Sequence, residues 1–449
     1  MKSLKHEIER LIQQSDWKAL ASHLKELPAP ELADWLNSLS EAHCAAVCRT
    51  LPPEKFAETF AHFDGDRQNA LTNELTDQEM TRLLTDLRPD DRTRFLEHLP
   101  KETTEKLLRL LSREDLTESR QLLAYPEESV GRLMTPEFIA VQADWTIEQA
   151  LAHIRVKGQK SEVLSTIYVT TEDGKLIDAL ELERFVLADP ADRVSQIMDR
   201  SFVALSPTDD REEAVRQIQK YDLYAIPVID ADKKLLGIVT ADDVMDIAEE
   251  ETTEDVQKGA AVDPLETSYR DSTIWSLYRK RAPWLVTLVF VNLAASGVIA
   301  VYEDTLASAL ALAFFIPLLM GAGGNTGSQS AMLIVRALAT GDLKGSRWLS
   351  TFAKELVVGG TLGVTLGIGI GWLGVLRGDF AVGVAVALAM TSIVLVSNLL
   401  GVLFPLILTK LRIDPAVASS PMVTSTADVT SLLLYFSIAT FILGYVARG

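Results

Sequence analysis

The sequence predicts a multidomain membrane protein: an all-α N-terminal helical solenoid, a duplicated α/β module, a connecting helix, and an α-helical transmembrane domain of five spans. Three observations predict these elements: helix starts recur in the N-terminal part, a repeat follows in the middle of the chain, and long apolar stretches occupy the C-terminal part. The chain has 449 residues and a net charge of −19, from 43 Lys and Arg against 62 Asp and Glu. Residues 273–449 hold seven acids and eleven basic residues, so this part is +4 and the first 272 residues carry −23. This distribution excludes a simple soluble enzyme and argues against a nucleic-acid-binding protein, which needs a basic face.

Residues 1–128 are predicted to form a helical N-terminal domain. The apolar residues Leu32, Trp35, Leu36 and Leu39 have helical spacing. Segments that start a helix recur every 12 or 24 residues, which is typical of a helical solenoid that serves as a scaffold. These segments are Leu27-Pro28, Leu51-Pro52, Leu75-Thr76-Asp77, Leu87-Arg88-Pro89 and Leu99-Pro100.

The cysteines and the amino-terminal segment indicate a cytosolic front half. Cys44 and Cys48 are the only cysteines, too few for a disulfide framework, and packing is the usual role of such a pair. The first residues contain no apolar segment of the kind found in a cleavable signal peptide. We therefore expect the soluble part to lie in the cytosol.

Residues 129–248 repeat once, with a step of 64 residues. Val130–Met134 matches Val194–Met198, and each copy continues in the order β-α-β-β-α, with first strands expected at Phe138–Val141 and Phe202–Leu205. This order resembles an α/β tandem CBS module. The resemblance implies a regulatory role and an adenosine nucleotide as a ligand of the pair. The residues themselves include no Gly-rich phosphate loop, so nucleotide binding stays open at this point.

Residues 249–278 are predicted to form an acidic connecting helix. If the chain is helical from residue 241 onward, Asp243, Asp246, Glu250 and Glu254 lie near one face, where their charges repel one another. One interpretation is a solvated charged face, as most charge runs are. The other is a surface that meets further acids of the preceding domains through bridging Mg²⁺, because Mg²⁺ binds through one or two carboxylates and keeps several waters.

Residues 279–449 are predicted to form a transmembrane domain with five helices, since each span takes about 20 apolar residues. The predicted spans are 282–302, 306–321 (or 306–337 if the helix continues), 356–375, 380–408 and 423–446. Lys and Arg are concentrated before the first span, between the second and third, and between the fourth and fifth. By the positive-inside rule these loops and the N-terminus face the cytoplasm and the C-terminus lies outside. We expect a multi-pass protein of the cell membrane, embedded in the lipid bilayer.

The second predicted span contains Pro317 followed by Gly321, Gly323, Gly324 and Asn325. We expect this cluster to break the helix. Irregular backbone at membrane depth is tolerated where it lines a wet cavity or is buried in protein, and its free carbonyls can coordinate a cation. The alternative is a notch of small residues for helix packing. Packing is the favoured interpretation for the glycine stripe of the third span, formed by Gly359, Gly363, Gly367 and Gly371.

Asp428 is an acid inside the fifth predicted span, about seven residues after Pro421. A carboxylate there costs about 3 kcal/mol or more, so it usually faces a polar path or a partner. No basic residue lies deep in any span, which makes a cation its natural counter-charge. The alternative is a protonated Asp428 that makes a helix–helix hydrogen bond. Asp414, before the same span, is either an acid of an inner vestibule or a helix-start acid.

These features together are similar to the MgtE family of magnesium transporters and channels. The similarity covers essentially the whole chain in its order of domains. Its most specific motifs lie in residues 317–329, 334–343 and 414–430. One departure is Ser328, at a position where the family often has Asn.

The resemblance implies a homodimer whose pore runs along the dimer axis and is lined by the second and fifth spans. Asp428 matches the acid that holds hydrated Mg²⁺ in the pore, and Asp414 matches an acid at the cytoplasmic mouth. Gly321, Gly324 and Asn325 match the pore-lining backbone turn. Further acids match Mg²⁺-binding positions of the soluble part: Glu251, Glu254 and Asp255 on the connecting or plug helix, Asp222, Asp243 and Asp246 in the CBS region, and Asp90 and Asp91 in the helical domain.

Our leading hypothesis is Mg²⁺-selective entry into the cytoplasm through a dimeric channel-like pore. Cytosolic Mg²⁺ would close this pore by binding acids of the helical, CBS and plug-helix regions. Two alternatives remain: a CBS-regulated, membrane-anchored sensor without transport, and a proton-coupled carrier for Mg²⁺ or another divalent cation. An enzyme is not expected, because the sequence contains no nucleophile–base pair, no zinc-ligand spacing and no P-loop.

Overall fold

A computed structural model of the chain describes residue 24, residues 26–265, residue 269, residues 272–343 and residues 348–446. The amino-terminal segment 1–23 lies outside the described residues, as do Lys344 and Arg347 of the loop between the second and third spans. The chain forms two compact units, residues 1–250 and residues 251–449. We call them the first and the second unit.

The first unit begins with eight described helices whose first residues follow one another at intervals of 12 positions. They are α1 (Ala29–Asn37), α2 (Glu41–Cys48), α3 (Pro53–Ala61), α4 (Gly65–Glu74), α5 (Asp77–Asp86), α6 (Pro89–Glu97), α7 (Lys101–Leu108) and α8 (Arg113–Leu123). The repeat is therefore one helix of about 12 residues. Helices two places apart pack together, as α1 does with α3 and α3 with α5. The predicted all-α solenoid is confirmed.

Local sequence explains where these helices begin and what they bury. Pro89 occupies the first position of α6, where a missing N–H costs no hydrogen bond. Thr76 and Glu79 form a reciprocal capping box at the start of α5. Cys44 and Cys48 lie in the buried core with their sulfur atoms 4.0 Å apart, which agrees with a packing role.

The remainder of the first unit contains two copies of one α/β motif. The first copy comprises α9 (Val130–Leu133), β1 (Ala140–Gln142), α10 (Ile147–Lys157), a 3₁₀ turn (Gly158–Lys160), β2 (Thr166–Thr170), β3 (Leu176–Glu181) and α11 (Leu182–Leu187). The second comprises α12 (Val194–Ile197), α13 (Arg211–Tyr221), β4 (Ala225–Ile229), β5 (Leu235–Thr240) and the helix that follows. In each copy the last two strands pair antiparallel, and β1 also pairs parallel with β2. The predicted α/β tandem module is confirmed.

The strand expected at Phe202–Leu205 is not formed, which corrects the prediction. Only Leu205 pairs with β4, through hydrogen bonds to the backbone of Pro227 and Ile229. A turn begins at the next residue, where the Ser206 N–H donates to the Asp209 carboxylate. This turn takes the chain away from the sheet, so the pairing stops after one residue.

The acidic segment after β5 forms one helix, α14 (Ala241–Gly259). This helix continues from the last helix of the second CBS copy into the connecting segment, and the predicted boundary at residue 248 falls inside it. The helical conformation expected for the acidic run is confirmed as far as Gly259. The connecting helix does not extend to residue 278 as predicted, because the described residues 260–265 are not helical. Further along, the indole N–H of Trp284 donates to the Asp263 carboxylate at 3.0 Å and ties the connecting segment to the first membrane helix.

The second unit is helical. It comprises α15 (Ile274–Val301), α16 (Glu303–Ser308), a 3₁₀ turn (Leu310–Phe315), α17 (Ile316–Ala339), α18 (Trp348–Arg377), α19 (Phe380–Lys410), a 3₁₀ turn (Pro415–Val417) and α20 (Ser420–Val446). Five of the described helices, all except α16, are long and apolar enough to cross a membrane, which confirms the predicted five spans. The central helix is α19, which packs against α17, α18 and α20.

The break expected in the second span is not found, and this prediction was wrong. Helix α17 runs without interruption through Gly321, Gly324 and Asn325. Pro317 lies in its first turn, where proline fits a helix without breaking it. The glycines at positions 323 and 327 serve close packing, because a Cβ at Gly323 would lie 2.6 Å from the Ser431 hydroxyl. The alternative of a helix-packing notch therefore describes this region correctly.

The glycine stripe of the third span packs as expected. Gly359, Gly363, Gly367 and Gly371 are all buried against α19. A Cβ at Gly363 would lie 2.6 Å from the backbone carbonyl of Thr391. These glycines therefore bring the axes of α18 and α19 close together.

Candidate ion pathway and cation-binding acids

Asp428 lies on α20, about 12 Å along the helix from its first residue. It is partly exposed and faces α17 at Gly324, where a Cβ would lie 3.7 Å from Asp428 Oδ1 and 2.8 Å from Thr424 Cγ2. Within the described residues its carboxylate forms no hydrogen bond or ion pair, so the helix–helix hydrogen bond of the alternative interpretation is not made there. A carboxylate without a protein partner in a membrane helix is available to a cation.

The face of α17 that carries Gly321 and Asn325 is exposed in the single chain. Ser328 continues this face toward α20: its hydroxyl lies 2.8 Å from the Thr424 hydroxyl and donates to the Ser420 carbonyl at 3.2 Å. The face therefore offers amide and hydroxyl groups beside the Asp428 carboxylate. Hydrated Mg²⁺ is bound by groups of this kind, because it keeps several of its waters.

Asp414 is bound by a residue that the sequence analysis did not single out. The ammonium group of Lys258, near the end of α14, lies 2.6 Å from Asp414 Oδ2 and also pairs with Glu254 one turn earlier. The other carboxylate oxygen of Asp414 accepts the backbone N–H of Ala416 and caps the 3₁₀ turn before α20. The cap agrees with the helix-start interpretation of Asp414, and the inner vestibule stays a prediction. The i, i+4 spacing of Glu254 and Lys258 was the available signal for half of this arrangement.

Two further plug-helix acids lie beside this group. Burial and the nearby Asp414 carboxylate raise the pKa of Asp255, although Lys258 acts in the opposite direction. Glu251 lies one turn before Asp255 on α14 and is partly buried. The end of α14 therefore combines several carboxylates with one fixed ammonium ion.

A second group of acids lies in the first unit, between α6 and α14. We call Asp90, Asp91, Asp242 and Asp243 the first-unit acid cluster. Burial and the neighbouring carboxylates raise the pKa values of Asp90 and Asp91, and the same causes raise that of Asp243 to about 6. Asp90 is 8 % exposed, and its buried Oδ1 has no hydrogen-bond partner in the described part of the chain. Asp243 Oδ2 accepts a hydrogen bond of 2.5 Å from the Thr240 hydroxyl.

Burial of Asp90 and partial burial of Asp91 and Asp243 argue against a fully solvated charged face at the start of α14, although Asp242 is exposed. Further along the helix the solvated interpretation fits better, because the Asp246 side chain is 62 % exposed. Arg94 of α6 pairs with Asp246 at 3.1 Å and with Glu250. This guanidinium was missed by sequence reasoning. It supplies part of the counter-charge that the second interpretation attributes to bridging Mg²⁺.

Asp222 is not brought together with the other acids that were predicted to bind Mg²⁺ in the soluble part. It ends α13 in the left-handed conformation, with φ of 52°, and its side chain is exposed. Nowhere in the described ranges do three Asp, Glu, His or Cys side chains converge closely enough to enclose a metal ion.

Comparison with protein families and with curated relatives agrees with this domain order. Residues 316–438 match a divalent cation transporter model, residues 27–128 match the MgtE intracellular N domain, and residues 130–188 and 194–250 match the CBS domain. The magnesium transporter MgtE of Thermus thermophilus is 36% identical over 439 residues, which cover 97% of this chain and 98% of the relative. The magnesium transporter MgtE of Bacillus subtilis is 28% identical over 96% of this chain and 95% of its own.

Solved structures match the cytosolic part. A crystal structure of the cytosolic domain of the Mg²⁺ channel MgtE in complex with ATP is 32% identical, covers 54% of this chain and 99% of its own, and has a TM-score of 0.52. A crystal structure of the soluble part of a magnesium transporter is 26% identical, covers 56% and 99% of the two chains, and has a TM-score of 0.53. The resemblance predicted from the sequence is confirmed, and the chain belongs to the MgtE family of magnesium transporters.

Proposed function

We propose that this chain carries Mg²⁺ into the cytoplasm through a channel-like pore formed by two copies. The pore is lined by α17 and α20 of each copy, with Asp428 as the acid that holds the hydrated ion. The relatives named as magnesium transporters support Mg²⁺ as the substrate. The exposed face of α17 supports a second copy on the other side of the pathway, because a pore needs a second wall opposite this face.

The single observation that carries this proposal is the Asp428 carboxylate. It lies well inside a membrane helix, has no partner among the described residues, and faces the glycine-bearing side of α17. A sensor that only anchors a protein in the membrane needs no such group. A membrane potential that is negative inside drives a cation inward with about 2.3 kcal/mol per charge per 100 mV.

Feedback closure is the second part of the proposal. Helix α14 carries the acids Asp242 and Asp243 at its start. Near its end it carries the acids Glu254 and Asp255 and the basic residue Lys258. At high cytosolic Mg²⁺, ions neutralise the first-unit acid cluster and hold α6 against α14. At low Mg²⁺ the like charges repel, α14 is released, and the pore opens. Glu251, Asp222, Asp246 and Asp414 are proposed as further cation-binding acids of this gate.

The basic loops support an orientation with the N-terminus in the cytoplasm and the C-terminus outside. A proton-coupled carrier is the competing form of the same transport. It predicts that Mg²⁺ uptake acidifies or alkalinises the liposome interior, whereas a channel moves Mg²⁺ without stoichiometric proton movement. A pH indicator trapped in the same liposomes distinguishes the two.

The decisive experiment measures Mg²⁺ flux into liposomes that contain a trapped Mg²⁺ indicator. We expect Asp428→Ala to abolish flux and Asp428→Asn to reduce it strongly, because the amide keeps the shape but removes the charge. Asp304→Asn is the matched control, since Asp304 is an exposed acid of the short helix α16. Unchanged flux in both Asp428 variants would remove Asp428 from the pathway.

We also propose that the CBS pair binds an adenosine nucleotide. The ATP complex of the 32% identical cytosolic domain supports this assignment. Calorimetry of the full-length protein with ATP should give saturable binding, and Mg²⁺ closure should then depend on ATP concentration. The absence of binding at millimolar ATP would contradict it.

A further inference from the structure

Glu355 is an acid of α18 that the transport pathway described above does not use. It is the eighth residue of the helix and lies about 10 Å along it. Its Oε2 accepts a hydrogen bond from the Asn398 amide at 3.0 Å and one from the Ser330 hydroxyl at 3.3 Å. The same amide also donates to the Glu355 backbone carbonyl at 2.9 Å. Asn398 and Ser330 are each 3% exposed, so this is a built polar contact among three membrane helices.

Glycines allow these helices to approach closely enough for the contact. A Cβ at Gly359, one turn after Glu355, would lie 3.0 Å from Asn398 Cβ. A Cβ at Gly401, one turn after Asn398 on α19, would lie 2.8 Å from Ser330 Cβ. Hydrogen bonds to a carboxylate are strong, and the donors on Ser330 and Asn398 are buried, so leaving them unpaired is costly.

Ser330 connects this contact to the face of α17 that meets α20. Ser328 and Ser330 are two positions apart, so their side chains point to nearly opposite sides of α17. Ser328 contacts Thr424 of α20, and Ser330 contacts Glu355 of α18. Helix α17 is therefore held from both sides, and Gly324, which faces Asp428, lies one turn before Ser328.

We propose that Glu355 is a positioning residue for ion selection. As a hydrogen-bond acceptor it fixes α17 through Ser330, and so sets the separation between the Gly324 face of α17 and the Asp428 carboxylate. Its charge plays no direct part in binding the ion. This inference rests on the proposed Mg²⁺ pathway and adds a residue on the far side of α17 to it.

The transport test compares Mg²⁺ and Ca²⁺ flux for three variants. Glu355→Ala removes the acceptor and should lower the Mg²⁺-to-Ca²⁺ flux ratio about tenfold, as expected for lost hydrogen bonds to a charged group. Ser330→Ala removes one bond and should lower it about threefold. Glu355→Gln keeps an acceptor oxygen and should retain the ratio within about twofold. Leu356→Ala, at the neighbouring exposed position, is the control.

Two results would overturn the proposal. An unchanged ratio in Glu355→Ala would show that the contact does not position the pathway. Equal loss in Glu355→Gln and Glu355→Ala would show that the carboxylate acts through its charge. Ser330→Ala keeps the test decisive if Glu355→Ala does not fold.

A second measurement does not depend on transport. A Ser328→Cys/Thr424→Cys pair, with Cys44 and Cys48 replaced by Ser, should form a disulfide rapidly when a thiol oxidant such as copper phenanthroline is added, because the native hydroxyls are 2.8 Å apart. Adding Glu355→Ala should slow this reaction about tenfold, and adding Glu355→Gln should not. Equal rates in all three proteins would contradict the proposal. If the unsubstituted protein shows no Mg²⁺ flux while the cross-linking results are as expected, the proposed transport function is contradicted and the positioning role of Glu355 is left intact.

Discussion

The first-unit acid cluster and the surroundings of Asp428 use the same functional group in opposite ways. Around Asp90 and Asp243, several carboxylates are crowded together and burial raises their pKa values. Around Asp428, a single carboxylate per chain faces glycine and threonine, and no described residue pairs with it. Crowded acids gain much from a divalent cation, because the cation removes their mutual repulsion. A lone acid gains less and releases the ion more readily.

The difference teaches how one ion can be both a signal and a substrate. In the proposed gate, a site that senses an ion must change its structure when the ion leaves, and repulsion among the crowded acids of the first-unit acid cluster would provide that force. A site that conducts an ion must keep its structure when the ion leaves. The packed glycines and hydroxyls around Asp428 provide such a constant frame.

After the loss of flux expected for Asp428→Ala, the next largest effect comes from disturbing that frame. Gly324→Ala places a methyl group 2.8 Å from Thr424 Cγ2, so α17 must move away from α20. We expect Mg²⁺ flux in liposomes to fall at least about tenfold, since overpacking of this kind costs about 1–3 kcal/mol. Gly360→Ala on α18 is the control, because a Cβ there meets nothing within 4 Å. Normal flux in Gly324→Ala would mean that the separation of α17 and α20 is not critical.

A smaller effect is expected at the end of α14. Lys258→Met removes the fixed ammonium ion from Asp414, so Mg²⁺ meets no competing cation there. The cytosolic-side Mg²⁺ concentration that half-inhibits flux should fall about threefold, in line with the energy of a partly exposed ion pair. Lys258→Arg keeps the charge and should leave the concentration unchanged. A rise in the half-inhibiting concentration for Lys258→Met would mean that Lys258 assists closure instead of competing with Mg²⁺.

The smallest effect concerns pH and the first-unit acid cluster. The folded pKa of Asp243, about 6, lies above its ordinary value, so folding favours the protonated form. The associated stability is present below about pH 4 and is lost as the pH rises through about 6. Without Mg²⁺, the full-length protein should therefore unfold at a higher temperature at pH 5.5 than at pH 7.5.

Asp243→Asn should weaken this pH dependence of the unfolding temperature. Asp232→Asn, at an exposed turn, should leave it as it is. Saturating Mg²⁺ should weaken it in the parent protein, because a bound cation keeps the carboxylates ionised. The same pH dependence in Asp243→Asn as in the parent would assign the effect to other groups.

Much of the architecture could be predicted because its signals are local. The solenoid helices repeat every 12 residues, and each membrane helix is a continuous apolar stretch. Asp428 stands out for the same reason, as a carboxylate inside such a stretch. The course of α17 was predicted wrongly, because proline breaks the interior of a helix but fits its first turn. Whether Pro317 lies in the interior or in the first turn of α17 depends on where the helix begins, and the 3₁₀ turn that precedes it sets that point.

The contacts that complete the candidate sites are distant in sequence. Lys258 and Asp414 are 156 positions apart, and Arg94 and Asp246 are 152 apart. The periodicity of a sequence does not indicate contacts between residues so far apart. Glu355 was missed for another reason: it lies immediately before the predicted third span, which begins at residue 356. In the structure α18 begins at Trp348, and Glu355 lies inside the helix.

The 12-residue repeat of the solenoid explains how a sensing surface can arise without a new scaffold. All eight described solenoid helices have an acid in the first turn, where the helix dipole stabilises it. In α1 and α3 these acids, Glu31 and Glu54, are exposed to solvent. In α6 the corresponding Asp90 is buried beside α14. Under the proposed gating, a residue that elsewhere only stabilises its own helix becomes responsive to cations when another acidic helix lies opposite it. The repeat thus provides additional carboxylates that a neighbouring domain could use.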